Sequence, residues 1–363
     1  MTDTSADLDV GKAAVFAGHV AGILNGGMLA LMLTIGHRTG LFRTMSGRAP
    51  STSAEVAEAA GLDERYVREW LAAMVTGRVV EHDAAARTYR LPPEHAMWLV
   101  PGGGAQNLAV VAGAVPMLSG VLDDVVTCFR EGGGVPYSRF PRFQAHMAEQ
   151  SAQIFDASLV GVVLPVVPGM VGRLEAGIDV ADVGCGKGHA VNVMAAAFPN
   201  SRFTGLDISD EGIAAGRAEA ATLGLANASF EVHDVASLAG PARFDFVTAF
   251  DAVHDQADPT AVLAGIAAVL RDDGTFLMVD IRASSELHEN LDHPLGPYIY
   301  AMSTMHCMTV SLAAGGAGLG TAWGRQVAER MLRDAGFDAV DVHHLDADVA
   351  NSYYVARRTK EHA

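Results

Sequence analysis

One stretch constrains the chain more than any other: Ile178-Asp-Val-Ala-Asp-Val-Gly-Cys-Gly-Lys-Gly-His189. The apolar run Val180–Val183 predicts a buried strand. It ends in Gly184-Cys185-Gly186-Lys187-Gly188, and a helical pattern runs from His189 to Phe198. A strand that turns on glycines into a helix aims backbone N–H groups and a helix N-terminus at a ligand. Glycine suits such a turn because it has no Cβ and tolerates positive φ. A dinucleotide fingerprint requires G-x-G-x-x-G. Here the third glycine comes one residue early, His189 takes its place, and Asp182 stands two residues before the first glycine.

From Ile178 onward strands and helices alternate, the pattern of a parallel sheet flanked by helices. Strands are predicted over Val180–Val183, Arg202–Leu206, Ser229–Val232, Phe244–Phe250 and Thr275–Val279. Helices are predicted over His189–Phe198, Glu211–Leu223 and Pro259–Leu270. A helix Trp323–Ala335 and strands Ala339–His344 and Tyr353–Arg357 close the chain. The last connector is too short for a crossover, so these strands form an antiparallel hairpin. Ligands of such sheets gather at the carboxyl ends of the strands. Asp207 ends the second strand and can accept ribose hydroxyls. Asp234 and Val235 follow the third, where they can meet an adenine or simply make a turn. Asp251, His254 and Asp255 follow the fourth.

The 363 residues suffice for two or three domains. A net charge of −17 speaks against nucleic-acid surfaces and anionic membranes. Cys128, Cys185 and Cys307 are far apart, which fits a reducing compartment. The polar start, Met1–Asp9, is no signal peptide. Lys12–Met45 predicts two helices broken at Gly26-Gly27. Leu29, Met32, Leu33 and Gly36 share a face that suits a core or a subunit interface. The apolar run Val20–Gly36, interrupted by Asn25, Gly26 and Gly27, falls short of a membrane span. Ser51–Leu91 reads as a winged helix. Ser53 caps Ala54–Ala60, Asp63 caps Glu64–Thr76, and strands Val79–His82 and Thr88–Leu91 follow. Its acidic balance argues against DNA. Gly102–Gly104 is a linker, and Gln106–Phe129 a helical stretch interrupted at Pro116. Phe143 and Met147 lie on one side of a helix Arg142–Leu159, either packed on the next domain or walling a pocket.

The D-x-G-x-G-x-G stretch resembles motif I of class I S-adenosylmethionine (SAM) methyltransferases. Asp207, Asp234 and Asp251–Asp255 match that family's later stations. With a winged helix in front, the chain resembles small-molecule O-methyltransferases, and most of all mycobacterial SAM-dependent methyltransferases of unassigned acceptor. The resemblance implies an α/β fold: a Rossmann-like, seven-stranded methyltransferase domain preceded by a mainly helical winged-helix domain. It implies a dimerisation domain over 1–105, linking helices lining the pocket over 106–165, and a SAM-binding domain over 166–363 with a lid at 281–324. Asp182, Gly184, Cys185, Gly186, Gly188, Asp207, Ile208, Asp234, Val235, Asp251, Phe143 and Met147 would meet the cofactor, which leaves as S-adenosylhomocysteine. His254, followed by Asp255, falls on the family's general base, although Gln256 stands where an aromatic residue is usual; packing over the cofactor is its other role. Tyr298, Met302, Met305, His306 and Trp323 are the candidate acceptor contacts, with Gly315–Gly320 hinging the lid. His306-Cys307 lacks a third ligand at metal spacing, so no metal is expected. The resulting expectation is a cytoplasmic homodimer that methylates a small, rather apolar molecule at oxygen. C- or N-methylation of an aromatic ring, or a SAM-binding regulator without methyl transfer, are the alternatives.

Overall fold

The computed structural model describes residues 8–102, 106–346 and 348–358. Residues 1–7, and Gly103 and Gly104 of the expected linker, lie outside them. The chain divides into two units, Met1–Pro116 and Met117–Ala363.

The first unit begins with one helix, Val10–Arg38, and the expected break at Gly26-Gly27 does not occur. Glycine weakens a helix interior by about 1 kcal/mol but keeps its N–H, so the hydrogen-bond ladder continues where a proline would cut it. The helix stops at Thr39-Gly40, where Gly40 takes φ 73°. Only Thr34 and Gly36 are buried in it, while Phe16, Ile23, Leu24 and Met28 are exposed. Taken unbroken, it becomes the one single helix among the described residues long and apolar enough to cross a membrane by length and composition. Two bent helix pairs, Leu108–Ser119 with Leu122–Glu131 and Phe143–Val166 with Met170–Ala176, pass the same test jointly.

Helix Ser53–Ala60 is capped by Thr52, one residue before the expected Ser53, because Glu55 returns the bond and completes a capping box. Ser53 Oγ instead donates to Glu64 Oε1 at 2.6 Å, tying this helix to the next. Asp63 caps Glu64–Thr76 as expected. Val67, Trp70, Leu71 and Met74 repeat at helical spacing and form the buried stripe. Trp70 donates its indole N–H to the Met32 carbonyl at 2.9 Å. The wing is shorter than expected. Val79 and Val80 spend their N–H groups on the Met74 carbonyl, so β1 spans Glu81–Asp83 and pairs antiparallel with β2, Thr88–Arg90.

The stretch from Gln106 forms three short helices, Leu108–Val111, Ala114–Ser119 and Leu122–Glu131. Pro116 lies inside the second, in a first turn where a missing N–H costs nothing; the breaks flank that helix instead. Helix Phe143–Ile154 continues as a π-helical turn, Phe155–Val163.

The second unit is built on strands β3 (Asp179–Val183), β4 (Arg202–Asp207), β5 (Ala228–Val232), β6 (Phe244–Phe250), β7 (Leu270–Ile281), β8 (Ala339–Leu345) and β9 (Asp348–Arg357). Their order is β5-β4-β3-β6-β7-β9-β8. The first five are parallel, and β9 runs antiparallel to both β7 and β8. The order reverses between β3 and β6, and their carboxyl ends carry the glycine turn and Asp251–Asp255. Apolar clusters cover both faces: Val183, Val247, Phe276 and Met278 on one, Val180, Phe203, Phe246 and Leu277 on the other.

One ring organises the edge of this sheet. A Cβ on Gly188, Gly205 or Gly216 would meet Phe230 at 2.2, 2.7 and 2.7 Å respectively. Glycine at these three positions lets strand β4, the helix His189–Ala197 before it and the helix Asp210–Leu223 after it close on one aromatic side chain. His189 opens the helix His189–Ala197 and fastens it to its neighbours. Its Nδ1 lies 2.6 Å from Glu219 Oε1, and its Nε2 lies 2.9 Å from Asp156 Oδ1 in the π-helical turn.

Gly205→Ala is expected to cost about 1–3 kcal/mol in urea unfolding, with part of the loss recovered in the double variant with Phe230→Leu. A cost below about 0.5 kcal/mol would refute this packing role. Burial opposes charge on His189, but its two carboxylate partners outweigh burial and raise its pKa. The stability they add is therefore present below the unfolded pKa and lost as pH rises through the raised folded value. His189→Gln should cost about 1 kcal/mol at pH 6 and less at pH 9; equal losses at both would remove the ion pair from the account.

Candidate active site

The glycine turn is held from both sides. Gly184 has φ 73°, and a Cβ there would meet the Ala252 Cβ at 2.6 Å, so the turn lies directly against the loop after β6. The Gly184 and Cys185 N–H groups both reach the Leu206 carbonyl. Gly186, at φ 54°, faces open space. Its N–H donates to Asp207 Oδ2 at 2.8 Å, and Ser209 N–H donates to Oδ1 at 2.8 Å. Burial raises the Asp207 pKa against these donors. Asp182 lies beneath, accepting from Thr248 Oγ1 at 2.7 Å, and burial pushes its pKa up to about 7. The Cys185 thiol is likewise pushed up by burial. Gly188 is occupied by Phe230 packing and starts the helix at φ 72°, so its lack of a Cβ serves the fold.

At the ends of β4 and β5 the candidates separate. Ile208 is 70% exposed, an apolar side chain left uncovered beside Asp207. Asp234 accepts from Ala236 N–H at 3.0 Å and caps a short turn, while Val235 is buried. The turn-forming role of Asp234 is thus realised in the geometry, with its side chain exposed.

The loop after β6 brings Asp251, His254 and Asp255 together at the carboxyl end of the sheet. Asp251 takes φ 50°, the left-handed region that costs a non-glycine residue energy. Its N–H donates to the Val279 carbonyl, and its buried Oδ1 has no partner. Burial and then Asp280 raise its pKa to about 7. His254 is 3% exposed. Its Nδ1 lies 2.8 Å from Asp280 Oδ1, and its Nε2 lies 3.1 Å from Asp255 Oδ1. Burial opposes charge on this ring, but the two carboxylates lift its pKa well above the ordinary value. Burial also works against ionised Asp255, yet His254 holds its pKa down at about 2. Asp280 Oδ1 further accepts from the Ile281 N–H at 2.8 Å and from Trp323 Nε1 at 3.1 Å. Asp280 is therefore the group that orients His254, and it was missed in the sequence. An acid at the end of the apolar run Phe276–Val279 reads as an ordinary strand end; only pairing of β6 with β7 brings it to His254.

Trp323 was expected at the acceptor, but it is 5% exposed within an apolar cluster and braces Asp280. His306 is fully buried, its ring stacked on Phe143 at 3.4 Å between centroids, with Phe140 and Tyr137 edge-on. Neither His306 nitrogen has a hydrogen-bond partner, and burial lowers its pKa to about 4, so the ring is neutral. Phe143 thus packs on the 281–324 segment. One residue on, Gln144 Oε1 accepts from Ser209 Oγ at 3.3 Å, which brings this helix over the end of β4. Met147, Tyr298, Met302 and Met305 are half-buried, and burial pushes the Tyr298 pKa up to about 12. Tyr137 lies close enough to both Asp207 and Asp255 for their charges to raise its pKa, after burial, the largest cause. Gly315–Gly320 does not form the expected hinge. Ala317 N–H donates to the Ala257 carbonyl and Gly318 N–H to Ser311 Oγ, and Cβ atoms on Gly316 and Gly320 would strike Ala257 and Ser303.

Residues 174–336 match a family model described as a methyltransferase domain, and residues 27–100 match an Rv2258c-like winged HTH domain. Nocamycin O-methyltransferase of Saccharothrix syringae is 36% identical over 130 residues, 35% of this chain and 46% of the relative, so the match spans about half of that relative's length. A Nostoc punctiforme PCC 73102 protein, provisionally named an O-methyltransferase, superposes with TM-score 0.73 at 17% identity over 94% of this chain and 98% of the other. Human N-acetylserotonin methyltransferase in complex with SAM gives 0.66 at 16% over 98% and 99%. The sheet order, the glycine turn with its acids and the two family matches together make the chain a member of the class I SAM-dependent methyltransferases that carry an N-terminal winged-helix domain.

Proposed function

We propose that this chain is a cytoplasmic, homodimeric enzyme that transfers a methyl group from SAM to a small, rather apolar acceptor, at oxygen. The observation that carries the reading is the buried His254, fixed through Nδ1 by Asp280 with Nε2 turned toward Asp255. The residues present fit the cofactor. Gly186 leaves open space where a side chain would stand, Ile208 offers an uncovered apolar face, and Asp251 carries a buried, unpartnered carboxyl oxygen. Gly184, Cys185 and Gly186 would hold its amino-acid end, Asp182 supporting the turn from below. Asp207 would take the ribose, Ile208, Asp234 and Val235 the adenine, and Phe143 and Met147 one wall. When bound, the cofactor supplies a sulfonium methyl that is already electrophilic.

What remains for the protein is alignment and removal of the acceptor proton. His254 Nε2 accepts that proton once it is neutral. Asp280 keeps the proton of Nδ1 in place and stabilises the imidazolium that forms. Asp255 must give up its place at Nε2 to the acceptor hydroxyl, and its side chain is a quarter exposed. The acceptor is proposed to meet Tyr298, Met302 and Met305, with 281–324 as a packed cover; the fully buried His306, expected at the acceptor, is instead occupied by its stacking on Phe143. A low-polarity surface of this kind suits an apolar molecule. Helix Glu64–Thr76 pairs Arg65 with Glu69 and Arg68 with Glu64, so both arginines are engaged on their own helix. The exposed row Phe16, Ile23, Leu24 and Met28 is proposed to be covered by the same helix of a second copy.

Titration calorimetry of the stripped protein with S-adenosylhomocysteine should give micromolar binding, and NAD none; binding of neither would end the enzyme reading. His254→Ala should retain cofactor binding and lose methyl transfer by about 10²–10⁴-fold; full activity would remove the base. Because the His254 pKa is raised, the rate should climb on the alkaline side of pH 7. Asp280→Asn removes the acid that raises it, so the rising limb should move to lower pH while kcat falls. An unmoved limb would cut Asp280 out of the mechanism. Ile23→Glu should convert the dimer to a monomer in analytical ultracentrifugation; an unchanged mass would move the interface elsewhere.

A further inference from the structure

The π-helical turn Ser303–Cys307 sends two neighbouring side chains in different directions. His306 stacks on Phe143, while the buried Cys307 comes to His254 and Asp255. One ligand atom from each of His254, Asp255 and Cys307 lies within 4.8 Å of the other two. The sequence offered only adjacent His306 and Cys307; the fold exchanges His306 for two ligands from the loop after β6.

We propose that His254 Nε2, Asp255 Oδ1 and Cys307 Sγ form a site for a borderline-soft divalent cation of the Zn²⁺ class. Three features support it. The ligand types are those zinc takes, imidazole, carboxylate and thiolate, and three protein ligands leave a fourth position open. Tetrahedral zinc holds neighbouring ligand atoms about 3.3–3.8 Å apart, so atoms already within 4.8 Å, with one pair at 3.1 Å, need only small movements. The other ring nitrogen of His254 is bound by Asp280, itself held by Trp323 Nε1 and the Ile281 N–H. A carboxylate behind the histidine fixes the tautomer that points Nε2 at a metal. Asp255 Oδ1 is a buried oxygen without a well-directed hydrogen bond, and its side chain is a quarter exposed, which leaves a way in.

Binding sends the proton of Nε2 and that of the thiol to solvent, and each freed lone pair goes to the metal. The consequence is regulatory: a cation on Nε2 occupies the atom that would accept the acceptor's proton. The inhibition rests on the methyl-transfer reading, whereas the binding does not. The probe is Co²⁺ added to the full chain after dialysis against a chelator, with no acceptor present. One equivalent should produce intense tetrahedral visible bands and a near-ultraviolet thiolate-to-cobalt band, both bleached by Zn²⁺. Cys307→Ser should abolish the near-ultraviolet band and weaken binding at least about 10-fold, as far milder changes around metal sites do. Cys128→Ser should leave the band intact. Asp255→Asn should keep the band but weaken binding, which serves if Cys307→Ser fails to fold. A missing band in the parent protein, or one that survives Cys307→Ser, overturns the site. If the band appears but Zn²⁺ leaves methyl transfer untouched, the site stands and the base assignment falls.

Discussion

The second unit depends on how closely backbone can approach backbone at the carboxyl end of its sheet. Phe230 fills the space that three missing Cβ atoms leave at Gly188, Gly205 and Gly216. Gly184 admits the Ala252 methyl, and Gly212 would place a Cβ 2.5 Å from the Gly186 carbonyl. These contacts fix the glycine turn between β4 and the loop after β6. Without them Asp207 would not lie within 2.8 Å of the Gly186 N–H, and this acid and the turn it supports would be separate features. Interiors packed at crystal-like density transmit such constraints, because no neighbour can relax alone.

Charge is the second constraint. Asp182 and Asp251 are withdrawn from water, each beside another acid, Asp207 for the first and Asp280 for the second, and ionising either is costly. The fold distributes the cost. Asp182 and Asp251 have pKa values raised to about 7, while Asp255 stays ionised against His254. Asp280 takes three donors on Oδ1, from His254, Trp323 and the Ile281 amide, while its buried Oδ2 has no partner. An imidazole between two carboxylates makes a strong base held mostly in its charged form. Such a group abstracts a proton well once neutral and is neutral rarely near pH 7. On the proposed base role, displacement of Asp255 would gate the site, since an acceptor that replaced Asp255 would also remove one of the two charges that keep the proton on the ring.

The sheet was legible because its signals are local. Buried parallel strands read as apolar runs, the short connector between β8 and β9 demanded a hairpin, and Asp207 stood at the expected distance from the glycines. Features that depend on partners far along the chain were not legible. Asp280 meets His254 only through strand pairing, and Trp323 looked like a pocket residue until its indole found Asp280. Gly26-Gly27 looked like a break because glycine lowers helix propensity, but a long apolar helix absorbs that cost. Gly315–Gly320 looked like a hinge because composition says nothing about the carbonyls and side chains that close around it. Asp234 shows the limit of position alone: the turn role and the ligand role use the same residue, and the turn claims one oxygen.

The two π-helical turns, Phe155–Val163 and Ser303–Cys307, belong to this logic. A π turn rotates the residues that follow relative to an α-helix and is kept where a side chain must be aimed. The first bears Asp156, which meets His189 beside the glycine turn; the second aims His306 and Cys307 to opposite neighbours. The base candidate therefore faces a thiol as well as a carboxylate, and a single atom, His254 Nε2, is open to three claims: the Asp255 carboxylate, an acceptor hydroxyl and a divalent cation. Only one can be satisfied at a time. On the roles proposed for His254 and for the cation, whatever reaches Nε2 first would decide whether the site rests, reacts or is held closed, and competition at that atom would couple metal supply to turnover without any change in the fold.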